Sequence, residues 1–269
     1  MSESPRFSME RLNGWMADLL VCLRFSTRVP IPTLSFETPP SDISIAAAAN
    51  MLPIAGALIG AVAALILWLA TRLGLPASLA ALVTMAALVV LTGALHEDGL
   101  ADFVDAMGGA TQEQRLAIMK DSRIGTFGGL ALIISFLARV MSLAALTEQS
   151  LALAGTVLIA AAASSRSFAL LPLYLLAPAR ADGLGAATAD IKNRTLAVAG
   201  IATLLFGLLP LFAGASLVYV LSALIIAAAA AYGMIVLTRR LIHGQTGDVA
   251  GAVQQVAEIV TYLVFTSRL

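Results

Sequence analysis

IAAAANMLPIAGALIGAVAALILWLAT, residues 45–71, runs for 27 residues without one acidic or basic side chain. As a helix rising about 1.5 Å per residue it would be roughly 40 Å long, more than the roughly 30 Å hydrocarbon thickness of a bilayer. The stretch therefore reads as a membrane-crossing helix. Six further apolar runs lie near 77–95, 126–146, 151–176, 196–212, 214–237 and 249–266, the last being the least apolar. Pro53 and Pro172 fall inside such runs, where neighbouring helices can satisfy the backbone groups a proline frees. The expected fold is all-α: a polytopic membrane helical bundle of about seven transmembrane helices, forming a single domain over 1–269. No repeat or low-complexity tract interrupts it.

Composition agrees. The 269 residues are 59% hydrophobic and 12% charged with a mean hydropathy of +0.93, against about 45–50% and about 25% in soluble domains. A water-soluble enzyme and a disordered chain are both excluded. Cys22 is the single cysteine, so no disulfide forms within the chain, and it is expected as a small buried hydrophobe. A formal net charge of zero leaves no electrostatic case for nucleic acid.

Charge placement carries more information. In a seven-span arrangement one side collects Arg6, Arg11, Arg24, Arg28, Arg115, Lys120, Arg123, Arg180, Lys192, Arg194, Arg239 and Arg240, and the other only Arg72 and Arg268. Cytoplasmic loops carry such an excess, so the N-terminus and the rich side are expected in the cytoplasm. Arg139 and Arg166 lie within spans. Residues 1–18 hold three acids and two arginines and lack a continuous apolar core, unlike a cleavable signal peptide. Met9, Leu12, Trp15, Met16, Leu19, Leu20 and Leu23 instead predict an N-terminal amphipathic interfacial helix over 9–23, lying on the membrane face or packed on other loops of the protein.

Four of the sixteen acids fall in HEDGLADFVD, 96–105: Glu97, Asp98, Asp102 and Asp105. On a helix turning about 100° per residue, Asp98, Asp102 and Asp105 share one face within an arc of about 60°. Carboxylates so spaced repel unless a cation is present, and hard oxygen ligands point to Mg2+ or Mn2+. The bland alternative is a solvated acidic loop. His96 fits a polar contact or helix-end place better than magnesium ligation. KDSRIGTFGG, 120–129, then changes sign: Lys120 and Arg123 can hold phosphate oxygens, and Gly125, Gly128 and Gly129 free the backbone at a helix start.

A third patch, HGQTGDVAGAVQQVAEI at 243–259, opens the last span on the same side. Asp248 could cap that helix or face the acids. Gln254, Gln255 and Glu258 continue into the membrane, where polar groups face a bundle interior or cavity. Arg166, beside Ser164 and Ser165, could reach the same cavity, and Arg139 suits either a structural ion pair or a substrate contact. Metal-holding acids, phosphate-binding groups and a polar cavity on one side suggest phosphoryl or phosphodiester transfer at the membrane. Carriers place their buried acids nearer the midplane. No Walker-type loop or Ser/His/Asp arrangement is present.

Five ordered blocks resemble the cobalamin synthase family, the adenosylcobinamide-GDP ribazoletransferases: RFSTRVPIP at 24–32, LPIAGALIG at 52–60, GALHEDGLADFVDAMGG at 93–109, IMKDSRIGTFGGLAL at 118–132 and GQTGDVAGAVQQVAEI at 244–259. Ala94 departs from the pattern, which has a second glycine there, and Gln254 and Gln255 lie where the family varies. The resemblance implies a magnesium-dependent enzyme of the bacterial inner membrane that joins adenosylcobinamide-GDP to α-ribazole, or its 5′-phosphate, and releases GMP. Its implied partners are the corrinoid nucleotide, α-ribazole and the lipid bilayer, with room for a homo-oligomer or association with other cobalamin-assembly enzymes. On this reading Glu97, Asp98, Asp102, Asp105 and Asp248 hold metal, Asp105 or Asp248 is the catalytic base, and Lys120, Arg123 and Arg166 contact phosphate. The Asp-Gly-Leu-Ala segment at 98–101 is also similar to membrane CDP-alcohol phosphotransferases, the alternative assignment, but Asp102 follows Ala101 where their longer pattern continues with arginine.

Overall fold

The structure, a computed structural model, describes residues 5–37, 44–188 and 190–267. Side chains before residue 12, Met9 among them, lie outside the described set. In order the helices are α1 (Pro5–Ser26), α2 (Ile45–Ala48), α3 (Leu52–Arg72), α4 (Ala77–Thr92), α5 (Leu95–Ala106), α6 (Gln112–Ile118) and α7 (Thr126–Gln149). There follow α8 (Leu151–Phe168), α9 (Leu170–Leu175), α10 (Gly183–Ala187), α11 (Asn193–Gly207), α12 (Leu209–Phe212), α13 (Leu217–Ile242) and α14 (Gly247–Thr266). The described residues hold helices and a single isolated bridge, Pro178 with Gln245.

Among the described residues six stretches are each long and apolar enough to cross a membrane: Ile45–Arg72, Thr126–Gln149, Leu151–Leu175, Asn193–Phe212, Leu217–Ile242 and Gly247–Thr266. The chain is a multi-pass membrane bundle, as its composition requires. In Leu151–Leu175 and Gly247–Thr266 78% and 72% of the apolar window is buried, against 28–44% in the other four, so these two spans are central and the others ring them. Polarity follows burial: the central helices carry Ser164, Ser165, Arg166, Gln254, Gln255 and Glu258, while the outer ones present Ile134, Met141, Leu205 and Ile225 outward.

The second expected span is a bent helix pair, Ala77–Thr92 with Leu95–Ala106, and counted as one crossing it is the seventh. The run 77–95 is not one straight helix leading into the acidic segment: α4 stops at Thr92, and α5 leaves it at 88°. Gly93 (φ 65°) and Ala94 (φ 56°) both occupy the left-handed region, and Gly93 caps α4 by donating its N–H toward Val89 and Val90 carbonyls. Two such residues in succession turn the helical path through nearly a right angle. The four-residue link from α3 sends α4 back toward the end where α3 began, so α5 lies across that end. A left-handed alanine costs roughly 1–2 kcal/mol that glycine largely avoids, less the extra entropy glycine loses on folding. Ala94→Gly should therefore raise stability by about 0.5–1 kcal/mol, a gain of about 1–4 °C in Tm measured in detergent. An unchanged or lower Tm would contradict the strain.

Small residues set the central packing. Gly56 and Gly60 stand one turn apart on α3, and a Cβ at Gly60 would come within 2.7 Å of Ile159 Cα and Leu158 O on α8. This is the small-xxx-small geometry that lets membrane helices approach to backbone contact. Leu67, Met85, Leu143, Leu146 and Leu158 fill the apolar half of the bundle beyond it. The first helix divides the two expectations for it. Leu12, Trp15 and Met16 are exposed, whereas Cys22 is buried and its thiol donates to the Ala48 carbonyl at 3.1 Å.

Candidate active site

The site arises where α5 crosses the start of α14. Gly99 lies against Asp248, where an added Cβ would stand 2.8 Å from the Asp248 carbonyl oxygen and 3.0 Å from its Cα. Gly251 makes the reciprocal contact: a Cβ added there would stand 3.4 Å from Gly99 Cα and His96 Cα. Backbone contact between the helices puts the carboxylate face of α5 beside the first turn of α14. Asp102 lies within electrostatic reach of Asp98, Asp248 and Asp105, and Asp248 within reach of Asp98. Three of the five expected ligands, Asp98, Asp102 and Asp248, thus share one region.

The other two are engaged elsewhere. Asp105 accepts the Gly125 N–H at 2.7 Å on Oδ2 and the Gly128 N–H at 2.8 Å on Oδ1, so both its oxygens cap the start of α7. A carboxylate suits the positive end of that helix dipole. Side chains at Gly125 or Gly128 would collide with the Asp105 carboxylate, which accounts for the two glycines. Glu97, one residue before Asp98, faces the bundle interior instead and pairs with Arg139 at 2.9 Å.

The Glu97 contact belongs to a buried polar network. Arg139 also approaches Glu258 at 3.9 Å. Gln254 donates to Ser165 at 3.0 Å and to Glu258; Gln255 donates to Gln254 at 3.0 Å and accepts from Ser135 at 3.1 Å. Arg139 therefore has the ion-pair role, and Gln254, Gln255 and Glu258 face inward as their depth required. Removing one member of such a pair leaves a buried charge uncompensated, at about 3–5 kcal/mol. Arg139→Met should lower stability by about that amount, and adding Glu97→Gln should recover part of it. Thermal unfolding in detergent would test this; equal midpoints for wild type and Arg139→Met would refute it.

Arg166 is buried behind the acids, donating to the Ala162 carbonyl at 2.8 Å while its Nε has no partner. It borders a cavity of about 190 Å3 that Asp98, His96 and Asp248 also reach. Lys120 and Arg123 are exposed on the loop before α7. Lys120 pairs with Asp182 at 2.7 Å, and Arg123 with Asp121, and each cation holds its partner's carboxyl below the usual carboxylate range.

One residue at the site escaped the sequence reading. Arg180 Nη2 lies 3.1 Å from Asp248 Oδ2, which also accepts from Thr246 Oγ1 at 3.1 Å. The loop bearing Arg180 is tied to the approach to α14: Ala179 N–H donates to Gln245 O at 2.9 Å and Gln245 N–H to Ala177 O at 2.8 Å. Gln245 Nε2 adds a bond to Gly185 O at 2.9 Å. Two ion pairs, Arg180 with Asp248 and Lys120 with Asp182, thereby strap the 177–188 loop over the acids. No sequence spacing signals Arg180, because its partner is 68 residues away.

As donors, Asp98, Asp102 and Asp248 are all hard oxygens, with Arg180 as a monovalent counter-charge on one of them. Among the described residues no three Asp, Glu, His or Cys side chains form a ready ligand sphere. Magnesium does not demand one, since it keeps several waters and takes one or two carboxylates plus substrate phosphates. The donor chemistry fits such an ion.

The pattern of the cobalamin-5-phosphate synthase family matches residues 18–266. An adenosylcobinamide-GDP ribazoletransferase of Azorhizobium caulinodans is 44% identical over 249 residues, covering 91% of this chain and 93% of its own. Proteins of the same name from Bradyrhizobium diazoefficiens and Xanthobacter autotrophicus are 41% and 45% identical, covering 95% and 91% of this chain and 95% and 94% of theirs. No solved structure matches the fold.

Proposed function

The chain belongs to the cobalamin-5-phosphate synthase family, and from that membership and the site we propose that it acts as an adenosylcobinamide-GDP ribazoletransferase. It joins adenosylcobinamide-GDP to α-ribazole, or to α-ribazole 5′-phosphate, giving adenosylcobalamin or its 5′-phosphate and GMP. The observation that carries the reading is the glycine-mediated crossing that sets Asp98 and Asp102 beside Asp248, next to Arg166 and Arg180.

In the reaction a ribazole hydroxyl attacks the phosphorus bonded to the cobinamide side. A new P–O bond forms, the diphosphate P–O bond breaks, and GMP departs with the bridging oxygen. Asp248 takes the hydroxyl proton in this reading, its place beside Asp98 supporting the assignment. Asp105, whose oxygens are both occupied, holds the start of α7 and the preceding basic loop in place instead. Asp98, Asp102 and Asp248 would hold Mg2+ or Mn2+, which when bound supplies charge neutralisation for the diphosphate and the leaving oxygen. Arg180 and Arg166 offer the forked donors that match phosphate oxygens. Lys120 and Arg123, on the exposed loop, steer the anionic nucleotide toward the strap. The excess of basic residues at this end supports a cytoplasmic site in a bacterial inner membrane.

The test is direct. Purified protein in liposomes, given adenosylcobinamide-GDP and α-ribazole 5′-phosphate, should release GMP and form coupled corrinoid in equal amounts with magnesium. Chelator should abolish both, and magnesium or manganese should restore them. Folded protein that forms neither product with either ribazole substrate would overturn the reading; full activity in chelator would overturn its metal dependence.

A further inference from the structure

Resting on the transferase reading, we propose that the cavity beside the acids seats the base of the ribazole acceptor, and that its apolar walls select which base is used. The cavity is two-faced. Asp98, His96, Arg166 and Asp248 reach it as polar groups, while most of its remaining wall is apolar, with Leu173 and Leu184 among the side chains. Its volume of about 190 Å3 is below the roughly 300–1,000 Å3 of sites that enclose a whole drug-sized ligand, so it holds part of a substrate.

Of the pieces the reaction brings together, three are candidates by size and polarity. The corrin macrocycle is too large. Guanine carries a carbonyl, an amino group and ring N–H, and walls of leucine and alanine would leave such groups unpaired at about 1–3 kcal/mol each. The ribazole base is a fused aromatic bicycle with two methyl substituents and no N–H once joined to its sugar. Its chemistry matches the apolar wall. With the base seated there, the ribose extends toward the polar groups and carries its hydroxyl to Asp248. The diphosphate then approaches from the strap, where Arg180 stands. Arg166, only 3% exposed and with Nε unpartnered, supplies a donor where base, sugar and phosphorus meet.

The experiment compares α-ribazole with the riboside of unsubstituted benzimidazole as acceptors, in wild type, Leu173→Phe and Leu184→Phe. Leu173 is buried, so its variant narrows the slot from the core side; Leu184 is half-buried on the loop helix α10 and is the variant safer for folding. A methyl group in an apolar pocket is worth about 10–200-fold in kcat/KM, so wild type should favour α-ribazole by at least about tenfold. A narrowed slot should raise the KM for α-ribazole by about tenfold, with the KM for the unsubstituted riboside and for adenosylcobinamide-GDP within about twofold of wild type. Melting temperature monitors folding, and Leu184→Phe decides alone if Leu173→Phe does not fold. A rise confined to the KM for adenosylcobinamide-GDP, or no change in acceptor selectivity, would overturn the slot assignment while wild-type turnover upheld the transferase reading. Absence of turnover in folded wild type would overturn both.

Discussion

Asp102→Asn should lower kcat by about 10²–10⁴-fold while the protein keeps its melting temperature within a degree or two. Asp102 sits among Asp98, Asp248 and Asp105 and is only half-buried, so the amide replaces a charge without opening a cavity. The change removes one of the carboxylates proposed to hold the cation, so the magnesium concentration giving half-maximal rate should rise as kcat falls. GMP release measured across a magnesium titration reads both quantities. The exposed Glu113, a carboxylate on α6 away from the cluster, provides the comparison: Glu113→Gln should leave kcat and the magnesium dependence as in wild type. Wild-type kcat in Asp102→Asn would remove the acidic face of α5 from the chemistry.

A second large effect is expected at a residue with no functional group. A Cβ at Gly99 would meet the Asp248 backbone at 2.8–3.3 Å, and backbone cannot swing aside as a flexible side chain can. Gly99→Val must therefore push α5 away from α14 and pull Asp98 and Asp102 from Asp248. Displacing reacting groups by about 1 Å can cost about 10²-fold, and that loss in kcat is predicted for Gly99→Val, with a smaller one for Gly99→Ala. Gly233→Ala on α13, where nothing lies within 4 Å of the new methyl, should be silent. Equal kcat for Gly99→Val and wild type would mean that the crossing does not position the catalytic groups.

The acidic segment shows why sequence reading separates good candidates from engaged ones only in part. Helical phase already placed Glu97 off the face shared by Asp98, Asp102 and Asp105, and the structure uses that difference: Glu97 goes to Arg139, and Asp98 to the site. Phase could not distinguish Asp105 from Asp102. Both lie on one face of α5, yet Asp105 is consumed by two amides of a helix that begins 20 residues later.

The turn between α4 and α5 was hidden for a related reason. Gly93 alone reads as a helix end, but Ala94 in the left-handed region goes against its own preference and is held there by the surrounding fold. Propensity describes what a residue favours locally and is silent on strain imposed by packing.

What the sequence by itself determined is the medium and the placing of charge: long apolar runs dictate a helical membrane bundle, and four acids gathered at the end of one run give it a carboxylate-rich end. These follow from burial and charge repulsion, which depend on residue type and local spacing. Only the tertiary structure decided which acids meet, that Arg180 covers them, and that an apolar slot opens beside them. Those contacts join residues far apart in the chain, and their distances are set by how closely glycine lets α5 approach α14.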